Sequence, residues 1–285
     1  MKKLKPYFSY MKLRMICELQ YRSAALAGMS TQFFFGFIYI MLYLAFYNGT
    51  SSVEVSEIPI ISLLTGPATT ISLESMVTYL WLFQAFYCMI VIRMNDNEIL
   101  DMIKSGNIAY EMCKPMNIYL TWFMKIFSKK VIATLLRFWP IILIAFFLPK
   151  PFRLGLPESP IHFILFIISI IFALFITCIL ILFIHIITFY TLKDKGATNL
   201  IVTIGEIFTG GVVPIVFMPK TLQIIAYLLP FRYVGDLPFR IYNGTLNIST
   251  SLINIGMQIF WIVILGTISY KLMNRALKRV IVQGG

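Results

Sequence analysis

The sequence predicts an all-α integral membrane protein: one domain over residues 1–285, six transmembrane helices, and both termini on the inner side. Three observations predict it. Hydrophobic residues fill 59% of the chain and charged residues only 13%, where a soluble domain carries about 25% charged residues to face water. Six uncharged or nearly uncharged stretches can be separated, each long enough for the roughly 20 helical residues that cross about 30 Å of hydrocarbon. With the termini inside, 19 of the 24 Lys and Arg residues fall on the inner side, the bias that cytoplasmic loops retain.

At the N-terminus, residues 1–22 place Phe8, Met11, Met15 and Leu19 at helical spacing, with Lys12 and Glu18 off that line. This pattern predicts a basic amphipathic helix lying on the inner leaflet. The first span, 24–47, has no charge, and Ala24, Gly28, Gln32 and Gly36 recur every four residues as a stripe suited to helix packing. No charged leader with a small-residue cleavage site precedes it, so it is expected to stay as an anchor. The second span, 75–93, fills the gap between Glu74 and Arg93, and the third, 131–149, carries Arg137 near its start. The fourth is 161–190. The fifth, 197–218, contains a single acid, Glu206, and the sixth, 250–271, lies in the uncharged run from Ile241 to Tyr270.

Several function classes fall away. The formal charge of +12 would suit nucleic acid only on a soluble basic face, whereas these bases lie between apolar runs. The cysteines Cys17, Cys88, Cys113 and Cys178 fall singly, with no zinc-like spacing. His162 and His185 stand at opposite ends of the fourth span, too far apart for one metal. No HExxH, GxSxG or GxxxxGK[ST] motif occurs, so neither a membrane hydrolase nor nucleotide binding by a P-loop is indicated. The chain is therefore not expected to be an enzyme. Acceptor-like Asn-x-Ser/Thr tripeptides stand at Asn48, Asn243 and Asn247.

Two loops differ in kind. The outer loop, Asn48 to Leu73, is rich in Ser, Thr, Gly and Pro and has no Lys or Arg. The inner loop, 94–130, is patterned. Asp96 or Asn97 can cap a helix, Glu98 and Asp101 suit its positive end, and Lys104 suits its last turn. Ile99, Met102 and Ile103 form an apolar stripe, and Gly106 is placed to end the helix in a left-handed turn. A second short helix, Ile108 to Cys113, must stop before Pro115. The loop thus reads as two stiff helical pieces with one wet side.

Here a resemblance becomes specific. The run IKSGNIAYEMCKP, Ile103 to Pro115, resembles the "I-x-x-G-x-(I/L)-x-x-x-(L/M)-x-(K/R)-P" loop of ABC-2-type permeases, the membrane subunits of ATP-driven exporters. The segment GGVVPIVFMPKTLQIIAYLLPFRYVGDLPFRIYNG, Gly210 to Gly244, is similar to that family's "G-x-x-x-P-x-x-x-(L/M/F)-P-x-x-(L/F)…P" pattern. The resemblance covers nearly the whole chain through the order and spacing of these motifs. It implies a cytoplasmic ABC ATPase dimer as partner and a second permease copy or relative beside the chain. ATP and magnesium would be held by that ATPase, with no cofactor in this chain. It also implies that the inner loop is a coupling helix, with Asn97, Glu98, Asp101, Lys104, Gly106 and Pro115 at the ATPase contact. The stripe on the first span would lie near the dimer seam.

Glu206 is a functional-site candidate, since an acid well inside a span costs several kcal/mol unless paired or wet. Two structural roles compete with substrate contact: a protonated acid bonded to a neighbouring helix, or pairing with Arg137. Gly210, Gly211 and Pro214 are expected to break the fifth span near its outer end. From 219 to 244, Pro219, Pro230 and Pro238 with Arg232, Asp236 and Arg240 exclude a full span and predict short outer re-entrant helices. The functional expectation is a permease exporting an amphipathic or hydrophobic substrate. The alternative is a proton- or ion-coupled secondary transporter using Glu206. An abundance of Ile and Lys over Val and Arg fits an AT-rich bacterial gene, hence a multi-pass protein of a bacterial cytoplasmic membrane.

Overall fold

A computed structural model describes residues 5–20, 22–47, 49–50, 52–55, 58, 61–65, 69–93, 96–191, 194–211 and 213–278. The chain is built of helices: α1 (Lys5–Glu18), α2 (Arg22–Tyr47), the single turn α3 (Ser62–Thr65), α4 (Leu73–Ala85), α5 (Tyr87–Ile90), α6 (Asn97–Lys104), α7 (Ile108–Met112), α8 (Ile118–Phe147), α9 (Pro160–Thr191), α10 (Asp194–Phe208), α11 (Lys220–Leu228), α12 (Asp236–Tyr242) and α13 (Ile248–Leu277). Among the described residues four helices are long and apolar enough to cross a membrane, namely α8, α9, α13 and Ser23–Tyr47 of α2. The outer loop adds one feature absent from the all-α expectation, an antiparallel hairpin of β1 (Ser52–Val55) and β2 (Thr69–Ser72) with Ser52 opposite Ser72.

The centre of the packing is α9. It is apolar all round, the mark of a helix buried on several sides, and α5, α6, α8, α10, α12 and α13 all pack on it. Helix α1 lies along α8, and α2 against α4 and α8. The stripe on α2 works within this chain. Gly36 sits under the Trp81 ring, where a Cβ would approach Cζ3 to 2.8 Å. Gly28 lies against the Arg137 guanidinium, and Gln32 is buried with its Nε2 donating to Cys88 Sγ. The opposite face of α2, from Leu26 through Phe34, Phe35, Ile38, Met41 and Leu42 to Phe46, is exposed.

Three helices depart from the expected bounds. The second expected span, 75–93, is α4 and α5, interrupted at Phe86 (φ −95°, ψ 10°). Lys130 of the third helix turns inward toward this break. Its Nζ donates to Cys88 O at 2.9 Å and to Val91 O, satisfying carbonyls that the end of a helix leaves open. The third helix begins at Ile118 rather than 131, because nothing between Asn117 and Pro140 breaks it and Asn117 caps it by accepting the Leu120 N–H. Its 30 residues reach about 45 Å, more than a bilayer core needs. The fifth expected span, 197–218, ends as a helix at Phe208. Gly210 takes φ +81° there, and the Tyr79 hydroxyl donates to its carbonyl at 3.1 Å, so of the three residues expected to break the span the break falls at the glycine, ahead of Pro214.

The N-terminal helix also differs from its pattern. The residues that α1 turns toward α8 include Tyr7, Met11, Arg14 and Met15, while Phe8, Leu13 and Ile16 stay exposed. Its apolar residues are spread around the helix, and its docking uses polar contacts: the Tyr7 hydroxyl accepts from Asn117 N–H at 2.7 Å, and Ser128 Oγ donates to Met11 O at 3.2 Å. Of the acceptor-like asparagines, Asn48 lies outside the described residues. Asn243 donates to Ser75 O, and Asn247 caps α13.

Candidate functional site

The inner loop carries two short helices, α6 and α7. Asp96 caps α6 by accepting the Ile99 N–H at 3.2 Å, Glu98 lies in the first turn and Lys104 in the last. Ile99, Leu100 and Ile103 are buried toward the protein, with Met102 half-buried, whereas Asn97, Asp101, Lys104 and Gly106 are exposed. Gly106 takes φ +74°, a left-handed turn that a side chain would strain, and α7 comes immediately after it. Pro115 lies exposed in the bend before Asn117. Tyr110, which the sequence did not single out, stands 75% exposed on α7 beside exposed Met112. Its signal was available: a tyrosine outside the loop's apolar stripe.

A charge cluster fastens this loop to the long helices. Lys125 of α8, buried, donates to Asp96 Oδ1 at 2.9 Å and to Glu98 Oε2 at 2.6 Å. Arg14 of α1 reaches the other side of Glu98 at 3.1 Å. Behind them His185 of α9 accepts the Asp96 backbone N–H at its Nε2, and its Nδ1 faces Ile181 O at 2.7 Å and so carries the proton. Four elements, α1, α6, α8 and α9, therefore meet on two residues. Burial works against the Glu98 carboxylate, but the hydrogen bonds from Lys125 and Arg14 outweigh it and hold its pKa below the usual range. Burial likewise opposes the Arg14 charge, and Glu98 and Tyr10 more than restore it, raising its pKa. Glu98 is thus tied into the fold, although 54% of its side chain remains exposed. Lys125, His185 and Arg14 escaped sequence reasoning because their partners are distant in the chain.

The second site surrounds Glu206. Its carboxylate pairs with Arg93, at 3.1 Å from Oε1 and 3.2 Å from Oε2, and not with Arg137. Arg137 is held elsewhere, donating to Cys88 Sγ at 2.9 Å and to Ala24 O at 3.3 Å. The reason is positional: Glu206 on α10 lies level with the end of the broken second segment, where Arg93 stands. Around the pair opens a cavity of about 360 Å³, walled by Tyr39, Phe83, Gln84, Tyr87, Ile92, Gly205, Thr209 and Gly211. Two glycines allow that closeness. A Cβ on Gly205 would come within 2.8 Å of Ile92 Cδ1, and one on Gly211 would overlap Phe83 Cζ.

The proline-interrupted segment forms short helices. Pro219 and Pro230 precede α11 and a 3-10 turn at Phe231–Tyr233, and Pro238 sits in the first turn of α12, where its missing N–H does no harm. Pro214 likewise leads a 3-10 turn, Ile215–Phe217. Arg232, Asp236 and Arg240 are buried together. Arg232 Nε lies 3.7 Å and Arg240 Nη1 4.0 Å from Asp236 Oδ2. Arg232 also bonds Asn254 Oδ1 at 3.1 Å and stacks over the Tyr227 ring at 3.6 Å. Among the described residues no group of three or more His, Cys, Asp and Glu is arranged to hold a metal.

No curated protein matches the chain. Residues 69–284 match the family model described as ABC-2 family transporter protein, which takes in the inner loop, the Arg93–Glu206 pair and the proline-interrupted segment. Three quarters of the sequence thus fits one family, and the chain belongs to the ABC-2 family of transporter proteins.

Proposed function

We propose that the chain is the permease subunit of an ABC exporter, six spans with both termini inside, powered by a separate cytoplasmic ATPase dimer that binds ATP and magnesium. One observation carries the reading most: α6 presents exposed Asn97 and Asp101 on a stiff loop while Asp96 and Glu98 tie that loop to α1, α8 and α9. Force applied to α6 would reach the long helices through buried, charge-assisted contacts, which yield less than water-exposed ones.

In this reading α4 with α5, and α10 with the turn after it, act as two of the spans, and α11 and α12 dip back from the outer face. The exposed apolar face of α2 meets lipid or a second permease. The family supports a membrane subunit associated with an ABC ATPase, and the apolar helices support a multi-pass membrane protein. The bacterial cytoplasmic membrane, outward transport and an amphipathic or hydrophobic substrate are parts of the proposal. Proton-coupled transport through Glu206 loses its main argument, since the acid has Arg93 as a partner.

The test is a pull-down of the tagged chain from native membranes in mild detergent, with the recovered proteins identified and assayed for ATP hydrolysis. A P-loop ATPase should co-purify, and Asp101→Arg or Gly106→Val should release it without unfolding the permease. Purification of wild-type chain with no ATPase would end the exporter reading.

A further inference from the structure

The Arg93–Glu206 pair is the charged part of a wall that also carries the polar Gln84 and Thr209 and the aromatic rings of Tyr39, Phe83 and Tyr87. Both side chains are partly open, 67% and 37% exposed, so their contact is weak on its own and opens readily. A ligand of one sign would engage one partner and strand the other beside it. A ligand carrying both signs replaces the contact from each side and leaves no charge unpaired. The cavity volume of about 360 Å³ falls at the lower end of small-molecule sites, enough for a polar headgroup and too small for a whole lipid.

The walls suit the same chemistry. Phe83 and Tyr87, with ring centroids 6.5 Å apart, and Tyr39 offer aromatic faces beside Glu206, the setting that attracts an organic ammonium. Phe35 stands 6.3 Å from Tyr39, ring to ring, and is exposed. An apolar surface therefore runs outward from the cavity along α2.

We propose that this cavity binds a zwitterionic amphiphile, its ammonium at Glu206 against the aromatic rings, its phosphate at Arg93, and its hydrocarbon along Phe35 and Ile38. A membrane phospholipid and a water-soluble amphiphile share this chemistry. Binding stands on the cavity itself, and only transport of the bound amphiphile rests on the permease reading.

The test is native mass spectrometry of the purified full chain in neutral detergent, titrated with dioleoyl phosphatidylethanolamine, dioleoyl phosphatidylglycerol and soluble dihexanoyl phosphatidylethanolamine. Wild type should prefer the ethanolamine lipid. Arg93→Gln should weaken both long-chain lipids, and Glu206→Gln only the ethanolamine one, each by about tenfold as expected for a lost charge-assisted bond. The swap R93E/E206R, which keeps the pair, should stay folded and serves as the check on stability. Equal affinity for the short-chain compound assigns the site to soluble amphiphiles, and a strong dependence on chain length assigns it to membrane lipid. Equal binding of both long-chain headgroups by wild type, or binding unchanged in both single variants, overturns the proposal. Lipid selectivity without a co-purifying ATPase would sink the exporter reading and leave this one standing.

Discussion

Two buried charge clusters, one under the inner loop and one in the proline-interrupted segment, solve the same problem differently. Around Asp96 the contacts are short: Lys125 at 2.9 Å and the Ile99 N–H at 3.2 Å on the same carboxylate oxygen, with His185 holding the backbone N–H. Around Asp236 they are long, 3.7 and 4.0 Å, and neither carboxylate oxygen has a hydrogen-bond partner among the described residues. Arg232 Nη1 donates to Asn254 and Arg240 Nη1 to Tyr227 instead, while Arg232 Nε and Nη2 have no hydrogen-bond partner among the described residues. A buried charge is tolerated only when paired and bonded. The inner cluster is thus set up as a fixed joint, and the outer one is held by enclosure and by aromatic contacts more than by its own pairing.

The largest effect should come from breaking the outer cluster at its centre. Asp236→Ala leaves two arginines buried without a counter-charge, which costs about 3–5 kcal/mol for a buried pair. Loss of monodisperse protein in detergent, or a fall in thermal unfolding temperature by many degrees, is the expected outcome. The sharper variant is the triple change Arg232→Met, Asp236→Leu and Arg240→Met, which removes all three charges. It should recover much of the loss, since well-packed apolar replacements of buried pairs are often neutral. If Asp236→Ala melts like wild type, the cluster bears no structural load.

Next comes the joint at the inner loop. His185→Phe keeps an aromatic ring, somewhat larger than the imidazole, and removes the acceptor for the Asp96 N–H, an unsatisfied buried group that costs about 1–3 kcal/mol. The loss should be local. Hydrogen exchange should rise at residues 96–104 while the core of α9 keeps its protection, and ATPase coupling should fall more than ATPase docking. Equal protection of 96–104 in variant and wild type would show that His185 does not hold the loop.

The contrast also marks what a sequence can disclose. The inner loop was legible nearly residue by residue, because capping, the glycine turn and the proline stop are local chemistry: Asp96, Gly106 and Pro115 act on their own neighbours. The long helices were legible from hydropathy for the same reason. What escaped was every contact between distant segments. The burial of Lys130 is one case: its acceptors, Cys88 O and Val91 O, are the carbonyls of a break that hydropathy does not display. Glu206 seemed to lack a partner except Arg137, since the depth of Arg93 depends on how the second segment ends. The two-stranded hairpin in the outer loop had no alternating pattern long enough to see.

The smallest effect isolates the outermost link of the joint. The Glu98 pKa is lower in the fold than in the unfolded chain, so its contribution is complete above the unfolded value of about 4.3 and fades as pH falls through the lower, folded value. Glu98 is more than half exposed, and its bridge to Arg14 is worth less than about 1 kcal/mol. A fluorophore on Cys17 of α1, exposed, in a Cys113→Ser background should therefore hold its anisotropy from pH 7 to about pH 5 and lose some of it below about pH 4. In Arg14→Gln the helix should be looser already at pH 7, and the acid step should shrink. An acid step of the same size in both proteins would show that α1 stays on α8 through the Tyr7 and Met11 contacts alone. The charge on Glu98 would then serve Lys125 and the inner loop, leaving α1 free of it.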